Sequence, residues 1–329
     1  MNSGGDVILA QPKIAQIAGS PGLPPLFMER LPTIIPGGLL EGVLASFSRE
    51  KPVCVRINTI KTDRDTVCAR LEQDGVRFED IPGVPGALVL RGTTARDLSQ
   101  SGLVKDGLIY IQGLSSMLPV LALDPQPGDR VLDMCAAPGS KTTQMAALMK
   151  NEGTITALEA VRPRFYKLKA VSALLGAGNI EFRVMDARRF RDSQGFDKIL
   201  VDAPCSSEGR FCAGDPDSFG YWSARKIKEM VRKQRGIVLS ASRLLKPGGV
   251  MVYSTCTFAP EENEGVVDWL LRKTEGRLAL LDIDFEGTLT YPALTQWETR
   301  DFDPRVSRCR RVLPSENRDG FFIAKFQSL

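Results

Sequence analysis

The sequence contains no histidine. That excludes histidine-based triads and histidine metal sites, and leaves acid–base work to Asp, Glu, Lys, Cys or Tyr. The seven cysteines are odd in number, lack paired spacing and form no C-x-x-C. Structural zinc, or any other metal, and a disulfide framework are therefore not expected. The free thiols suit a reducing, cytoplasmic compartment. No run approaches the ~20 apolar residues of a membrane span. Met1 to Asp6 carries neither a charged n-region nor an apolar core, so no secretory signal is expected. There is no internal repeat and no low-complexity tract.

What is present is ordinary in amount: 329 residues, 43% hydrophobic and 25% charged, net charge +4. That bounds the chain to one large domain, or one plus a smaller one. The charge is unevenly spread. Arg225 to Arg235 holds six basic residues against Glu229, and Arg300 to Arg311 holds five arginines against Asp301 and Asp303. Such clusters fit a polyanion or a solvated helix face.

Three segments follow from the pattern. Residues 1–50, rich in Pro and Gly, read as a loose arm with a short helix near Leu39–Ser48. Residues 51–112 read as a small α/β unit of β-α-β-β order, which is either an RNA-binding-like (RRM-like) module or a cap on the next domain. Residues 113–329 alternate short strands with helices, which implies βαβ units and a mainly parallel sheet, an α/β fold with helices on both faces.

Chemistry-bearing residues fall at strand ends. The apolar run Ile199-Leu200-Val201 stops at Asp202-Ala203-Pro204-Cys205-Ser206, because Pro204 cannot donate to a ladder. A second run, from Val250 to Ser254, ends in Thr255-Cys256-Thr257. If the two strands are neighbours, their ends lie roughly 5 Å apart. In open α/β sheets that rim is where ligands bind. Earlier, Arg130–Met134 leads through Cys135-Ala136-Ala137-Pro138-Gly139-Ser140 into a helix. This loop is neither a dinucleotide fingerprint nor a phosphate loop. Its small residues still let a ligand approach the backbone. Asp133, Glu159 and Asp186 close three strands in series. An acid at the second can hold ribose hydroxyls, and one at the third can accept from an adenine amino group. An adenosine ligand without phosphates, S-adenosylmethionine (SAM), suits this set.

These stretches resemble the Nop/Sun-type RNA cytosine-C5 methyltransferases. The resemblance is carried by Asp133–Thr142, Asp202–Ser206 and Tyr253–Thr257. Gln112 through Pro119, Pro260-Glu261-Glu262-Asn263-Glu264 and Asp319–Phe322 are similar to the family as well. It implies a class I SAM-dependent (Rossmann-like) fold and methylation of an accessible cytosine in tRNA or rRNA. It implies Cys256 as nucleophile, Cys205 as the cysteine that assists release, and Asp202 and Lys141 as groups contacting the base. Asp133, Cys135 through Lys141, Glu159, Arg164, Asp186 and Asp202 are the cofactor-side residues expected. A monomer that binds RNA and no membrane is expected. The chain departs from the family at Ser207, where Gly is frequent, at Cys212-Ala213, where Arg-Lys is common, and at Ser315, where His is frequent.

The chemistry explains the residue types. Carbon 5 of cytosine is a poor nucleophile until a thiolate adds at carbon 6, and cysteine both adds and leaves well. Extruding the base costs less in a loop than in a duplex. Rival readings are a SAM-binding ribosome-assembly factor, a protein or small-molecule methyltransferase, and a DNA cytosine enzyme. The paired Cys205 and Cys256 disfavour each of them. Cys54, Cys68, Cys135, Cys212 and Cys309 are expected to be structural thiols.

Overall fold

The structure is a computed structural model that describes residues 22–329. Residues 1–21 of the expected arm lie outside the described residues. The rest of that stretch is not loose. Helix α1 (Pro25–Ile34) begins with Pro at its first position, and α2 (Leu40–Ser46) follows close to where a helix was expected. Phe27, Leu31 and Ile34 lie at i, i+4 and i+7 on one face of α1 and are buried. They pack with Phe47, Phe211 and Phe258, and the Phe27 ring meets Phe211 edge-on at 4.9 Å. The Pro and Gly residues suggested a loose chain, but these apolar anchors decided otherwise.

The small unit contains β1 (Val53–Ile57), α3 (Arg64–Gln73), β2 (Arg77–Asp80), β3 (Ala87–Arg91), α4 (Ala95–Gln100), α5 (Gly102–Lys105) and β4 (Ile109–Ile111). Its strands form an antiparallel sheet in the order β2-β3-β1-β4, the ferredoxin-like arrangement. Asp63 caps α3 by accepting from the Thr66 amide at 2.8 Å. The unit is locked to the larger one. Buried Arg56 donates to Gln112 Oε1 and Thr143 Oγ1, each at 3.0 Å. Asn58 Nδ2 donates to the carbonyls of Gly107 (2.7 Å) and Leu175 (2.8 Å).

The large unit opens with α6 (Leu114–Leu123), which the sequence pattern did not single out. Eight of its ten residues are buried, so it has no amphipathic stripe to read. Then come β5 (Arg130–Asp133), α7 (Ser140–Leu148), β6 (Thr154–Glu159), α8 (Arg162–Leu174), β7 (Ile180–Val184), β8 (Phe196–Asp202), α9 (Ala224–Ser242), β9 (Leu245–Thr255) and α10 (Glu264–Thr274). The chain closes with β10 (Leu278–Leu281), β11 (Tyr291–Pro292), β12 (Gln296–Trp297), β13 (Arg300–Asp301), β14 (Arg310–Val312) and β15 (Phe321–Ser328). Strands β7-β6-β5-β8-β9 are parallel and β15 joins β9 antiparallel. Strand order reverses between β5 and β8, which places the ligand crevice at their carboxyl ends. Ile199, Leu200 and Val201 are fully buried because helices cover both faces of the sheet. The expected α/β, Rossmann-like fold is present. No helix among the described residues is long and apolar enough to cross a membrane.

Candidate active site

Strands β8 and β9 run side by side with Asp202 opposite Ser254. That register carries Cys205 and Cys256 to the same rim. Their sulfurs are 3.4 Å apart, and both cysteines are free and half-buried. The two loops are braced from beneath. Glu262 accepts from the Ser206 amide at 3.1 Å and from Gln234 Nε2 at 2.7 Å. Glu208 accepts from Thr257 Oγ1 at 2.9 Å and the Phe258 amide at 3.0 Å. Asn263 Nδ2 donates to the Thr257 carbonyl at 2.9 Å. The Pro-Glu-Glu-Asn-Glu stretch therefore holds the cysteine loops in place. Burial raises the carboxyls of Glu262, to about 8, and Glu208.

The two thiols are not equivalent. Cys256 is held below the usual thiol range by the hydrogen bond from Cys205, with burial opposing and Arg210 and the Ser207 hydroxyl adding to the effect. Cys205 is pushed well above that range by the same contact and by burial. The contact therefore favours ionisation of Cys256 over that of Cys205. Ser207 Oγ lies 3.6 Å from Cys256 Sγ and 3.9 Å from Cys205 Sγ. Its φ of 61° lies in the left-handed region, which favours glycine. That explains why glycine is frequent there, and the serine adds a hydroxyl beside Cys256.

Lys141 projects from the first turn of α7. Its Nζ is 2.7 Å from Asp202 Oδ2 and 2.8 Å from Ser116 Oγ, and 5.4 Å above the Phe321 ring. Ser254 Oγ donates to the other Asp202 oxygen at 2.8 Å. Both carboxylate oxygens thus accept hydrogen bonds, and the Lys141–Asp202 pair stands beside Cys256 in one cavity wall.

The expected cofactor residues divide by role. Asp133 is buried and braces the loop, accepting from Thr142 Oγ1 at 2.8 Å and from the Cys135 amide at 3.3 Å. Burial raises its carboxyl to about 6. Glu159 accepts from the Val161 amide at 2.8 Å and lies 3.5 Å from Arg164, whose other terminal nitrogen donates to the Ala137 carbonyl at 2.7 Å. Asp186 is paired with the Arg188 guanidinium at 2.6 Å, which lowers its carboxyl. An adenine amino group at Asp186 would therefore compete with Arg188. Gly139 has φ 111°, and a Cβ there would come within 3.1 Å of Leu168 Cδ1. The turn from loop to helix consequently packs hard on α8.

Two cavities meet at this rim. One, of about 350 Å³, is bounded by Cys135, Ala137, Glu159, Arg164, Asp186 and Cys205. The other, of about 340 Å³, is bounded by Tyr110 to Gly113, Pro138, Ser140, Lys141, Arg210 and Phe321. Asp202 and Cys256 line both. The first has the size, the exposed loop backbone and the carboxylates that an adenosine ligand such as SAM requires. Ser116 and Ser254 lie inside motifs and Ser207 and Arg210 follow one, but a motif's spacing does not show which of its side chains face the cavity. Only the sheet register and the helix packing bring them in.

The basic stretch 300–311 is mostly structural. Arg311 forms a buried pair with Glu264 at 2.6 Å, Arg305 pairs with Asp303 at 2.7 Å, and Arg308 and Arg310 donate to backbone carbonyls. Arg300 pairs with buried Asp268 and lines a cavity with the basic residues of α9.

Residues 120–327 match the model of the 16S rRNA methyltransferase RsmB/F family, and residues 23–96 match the RsmF/B-like ferredoxin-like domain. The chain belongs to this family. The family is SAM-dependent, in keeping with the adenosine-sized cavity. The chain is 39% identical over 280 residues to the tRNA (cytosine(49)-C(5))-methyltransferase of Pyrococcus abyssi, covering 83% of this chain and 87% of that one. It is 35% identical to ribosomal RNA small subunit methyltransferase F of Cronobacter sakazakii, over 94% of this chain and 64% of that protein's length. It therefore spans just under two thirds of that bacterial relative. A methyltransferase homologue from Pyrococcus horikoshii superposes with a TM-score of 0.83 at 31% identity, over 97% of this chain and all of that one.

Proposed function

We propose that this RsmB/F-family protein methylates carbon 5 of a cytosine in tRNA or rRNA, through a covalent bond between Cys256 Sγ and carbon 6. The observation that carries the proposal is the pair of free thiols 3.4 Å apart, with Cys256 lining the same cavity as the Lys141–Asp202 pair. The relatives named for tRNA and rRNA methylation support an RNA substrate.

The residues then act in order. The Cys256 thiolate adds to carbon 6, which makes carbon 5 nucleophilic. Lys141, held by the Asp202 carboxylate, donates to the ring oxygen as charge builds there. When bound, SAM supplies the electrophilic methyl group. The Asp202 carboxylate takes the carbon-5 proton. Cys256 then leaves as a thiolate, stabilised again by the Cys205 thiol and the Ser207 hydroxyl. Residues 51–112 are assigned to RNA contact and residues 113–329 to catalysis. The Tyr110–Gly113 segment, which links the two, forms part of the base-side cavity wall.

The test is methyl transfer from labelled SAM to unmodified tRNA and rRNA, followed by nucleoside analysis. Wild type is expected to yield 5-methylcytidine and Cys256→Ala none. Cys205→Ala is expected to accumulate a covalent RNA–protein adduct. Label in 5-methylcytidine with Cys256→Ala would refute the assignment.

A further inference from the structure

A cleft of about 620 Å³ lies on α9, away from both catalytic cavities. Lys228, Arg232 and Arg235 line it, spaced i, i+4 and i+7 and so on one helix face. Lys233 and Ile237, which line the cofactor-side cavity, occupy the opposite face of the same helix. Trp297 from β12, Arg300 from β13 and Phe302 form the facing wall.

The charges in this cleft are not balanced from within. Neighbouring cations are engaged: Lys226 and Lys233 with Glu229, Arg30 with Glu261 at 2.7 Å, and Arg300 with Asp268. Lys228 and Arg232 have no carboxylate within 4.0 Å among the described residues. Arg235 is half-buried, yet among the described residues it makes neither a hydrogen bond nor an ion pair. Its guanidinium lies over the Trp269 ring, 5.4 Å from the centroid, and burial followed by the nearby Arg300 charge lowers its proton affinity, with Asp268 opposing. The cleft's own unpaired carboxylate is that of exposed Glu298. A half-buried guanidinium whose Nε is buried without a partner, beside two cations without a carboxylate, is favourable around an oxyanion. The planar guanidinium matches phosphate geometry, and the indole and phenyl faces offer flat apolar surface beside it.

The structure assigns this cleft as a phosphate site for the RNA strand flanking the target cytosine, read by Lys228, Arg232 and Arg235. The assignment rests on the RNA-methyltransferase proposal. The α9 helix separates the cleft from the catalytic cavity by its own diameter, roughly 10 Å. The phosphate held there belongs to a neighbouring nucleotide, not to the extruded one.

Equilibrium binding of unmodified tRNA and rRNA transcripts between about 50 and 200 mM salt tests this. Lys228→Glu with Arg232→Glu is expected to raise Kd about tenfold and to lower the slope of log affinity against log salt by about 2. Arg235→Gln alone is expected to lower that slope by about 1. SAM affinity by calorimetry should be unchanged in both variants, which reports an intact fold. Wild-type slopes and affinities in both variants would overturn the assignment. Inorganic phosphate at matched ionic strength separates the two sources of oxyanion. Tight phosphate binding lost in the variants, without any effect on RNA, would make this a small-anion site and overturn the RNA assignment. Methyl transfer is read separately. A wild type that binds RNA through this cleft but methylates no cytidine refutes the catalytic proposal and leaves the cleft standing.

Discussion

Glu262→Gln should remove a pH-dependent weakness from the base of the active site. Glu262 is fully buried beneath the Pro-Cys-Ser loop, and burial moves its carboxyl from an ordinary 4.5 to about 8. The folded state therefore keeps the proton across that window, while the unfolded state loses it above 4.5. By linkage, the stability Glu262 contributes is fully present below pH 4.5 and is lost as pH rises towards 8. Integrated from pH 5 to 8, the loss is about 3.5 kcal/mol at about 1.4 kcal/mol per pH unit. Glutamine keeps an acceptor for the Ser206 amide and Gln234 without a titrating group. Urea midpoints at pH 5, 6.5 and 8 are the assay. The expected result is a gap between variant and wild type that widens with pH by about 3.5 kcal/mol. Asp133, whose shift owes nothing to Glu262, titrates alike in both proteins and cancels in the difference. Parallel stability–pH curves would refute the reasoning, because they would mean that Glu262 is already ionised in the folded protein.

Ser207→Gly relieves the left-handed backbone and deletes the hydroxyl 3.6 Å from Cys256 Sγ. Stability should stay within about 1 kcal/mol of wild type, while Cys256 alkylation by iodoacetamide at neutral pH slows about tenfold, the value of one charge-assisted hydrogen bond. Ser207→Ala should slow it equally and, since alanine retains the strain, be less stable than the glycine variant. Mass spectrometry of alkylated peptides checks both, and equal rates in all three proteins would exclude the hydroxyl. Arg311→Met strips a buried carboxylate, Glu264, of its partner and should cost about 3–5 kcal/mol by chemical denaturation. A loss below about 1 kcal/mol would show that the pair is not desolvated in solution.

The α/β class, the strand-end positions of Asp202, Cys205 and Cys256, and the SAM-type loop were all legible in the sequence. Each is a local signal, an apolar run stopped by turn residues or small residues leading into a helix. The resemblance to the RNA cytosine-C5 family rests on the same contiguous motifs. Helices α1 and α6 were not legible. One sits in a Pro- and Gly-rich stretch, and the other is buried almost all round and so shows no period. Sequence likewise read the arginines of 300–311 as one basic surface. Folding spends Arg311, Arg305, Arg308 and Arg310 on internal partners and turns Arg300 towards α9.

The sequence by itself determined which groups exist to do chemistry and on which strand ends they sit. Tertiary structure alone decided that the two sulfurs stand 3.4 Å apart, that their contact lowers the Cys256 thiol and raises that of Cys205, and that Asp202 is shared between Lys141 and Ser254. The physical reason is that a thiol's proton affinity depends on the charges and donors within a few ångströms of it. Here those neighbours come from β8, β9 and the loops after them, and the Lys141–Asp202 pair adds α7. These segments are far apart in the chain, and only the strand order of the sheet brings them together.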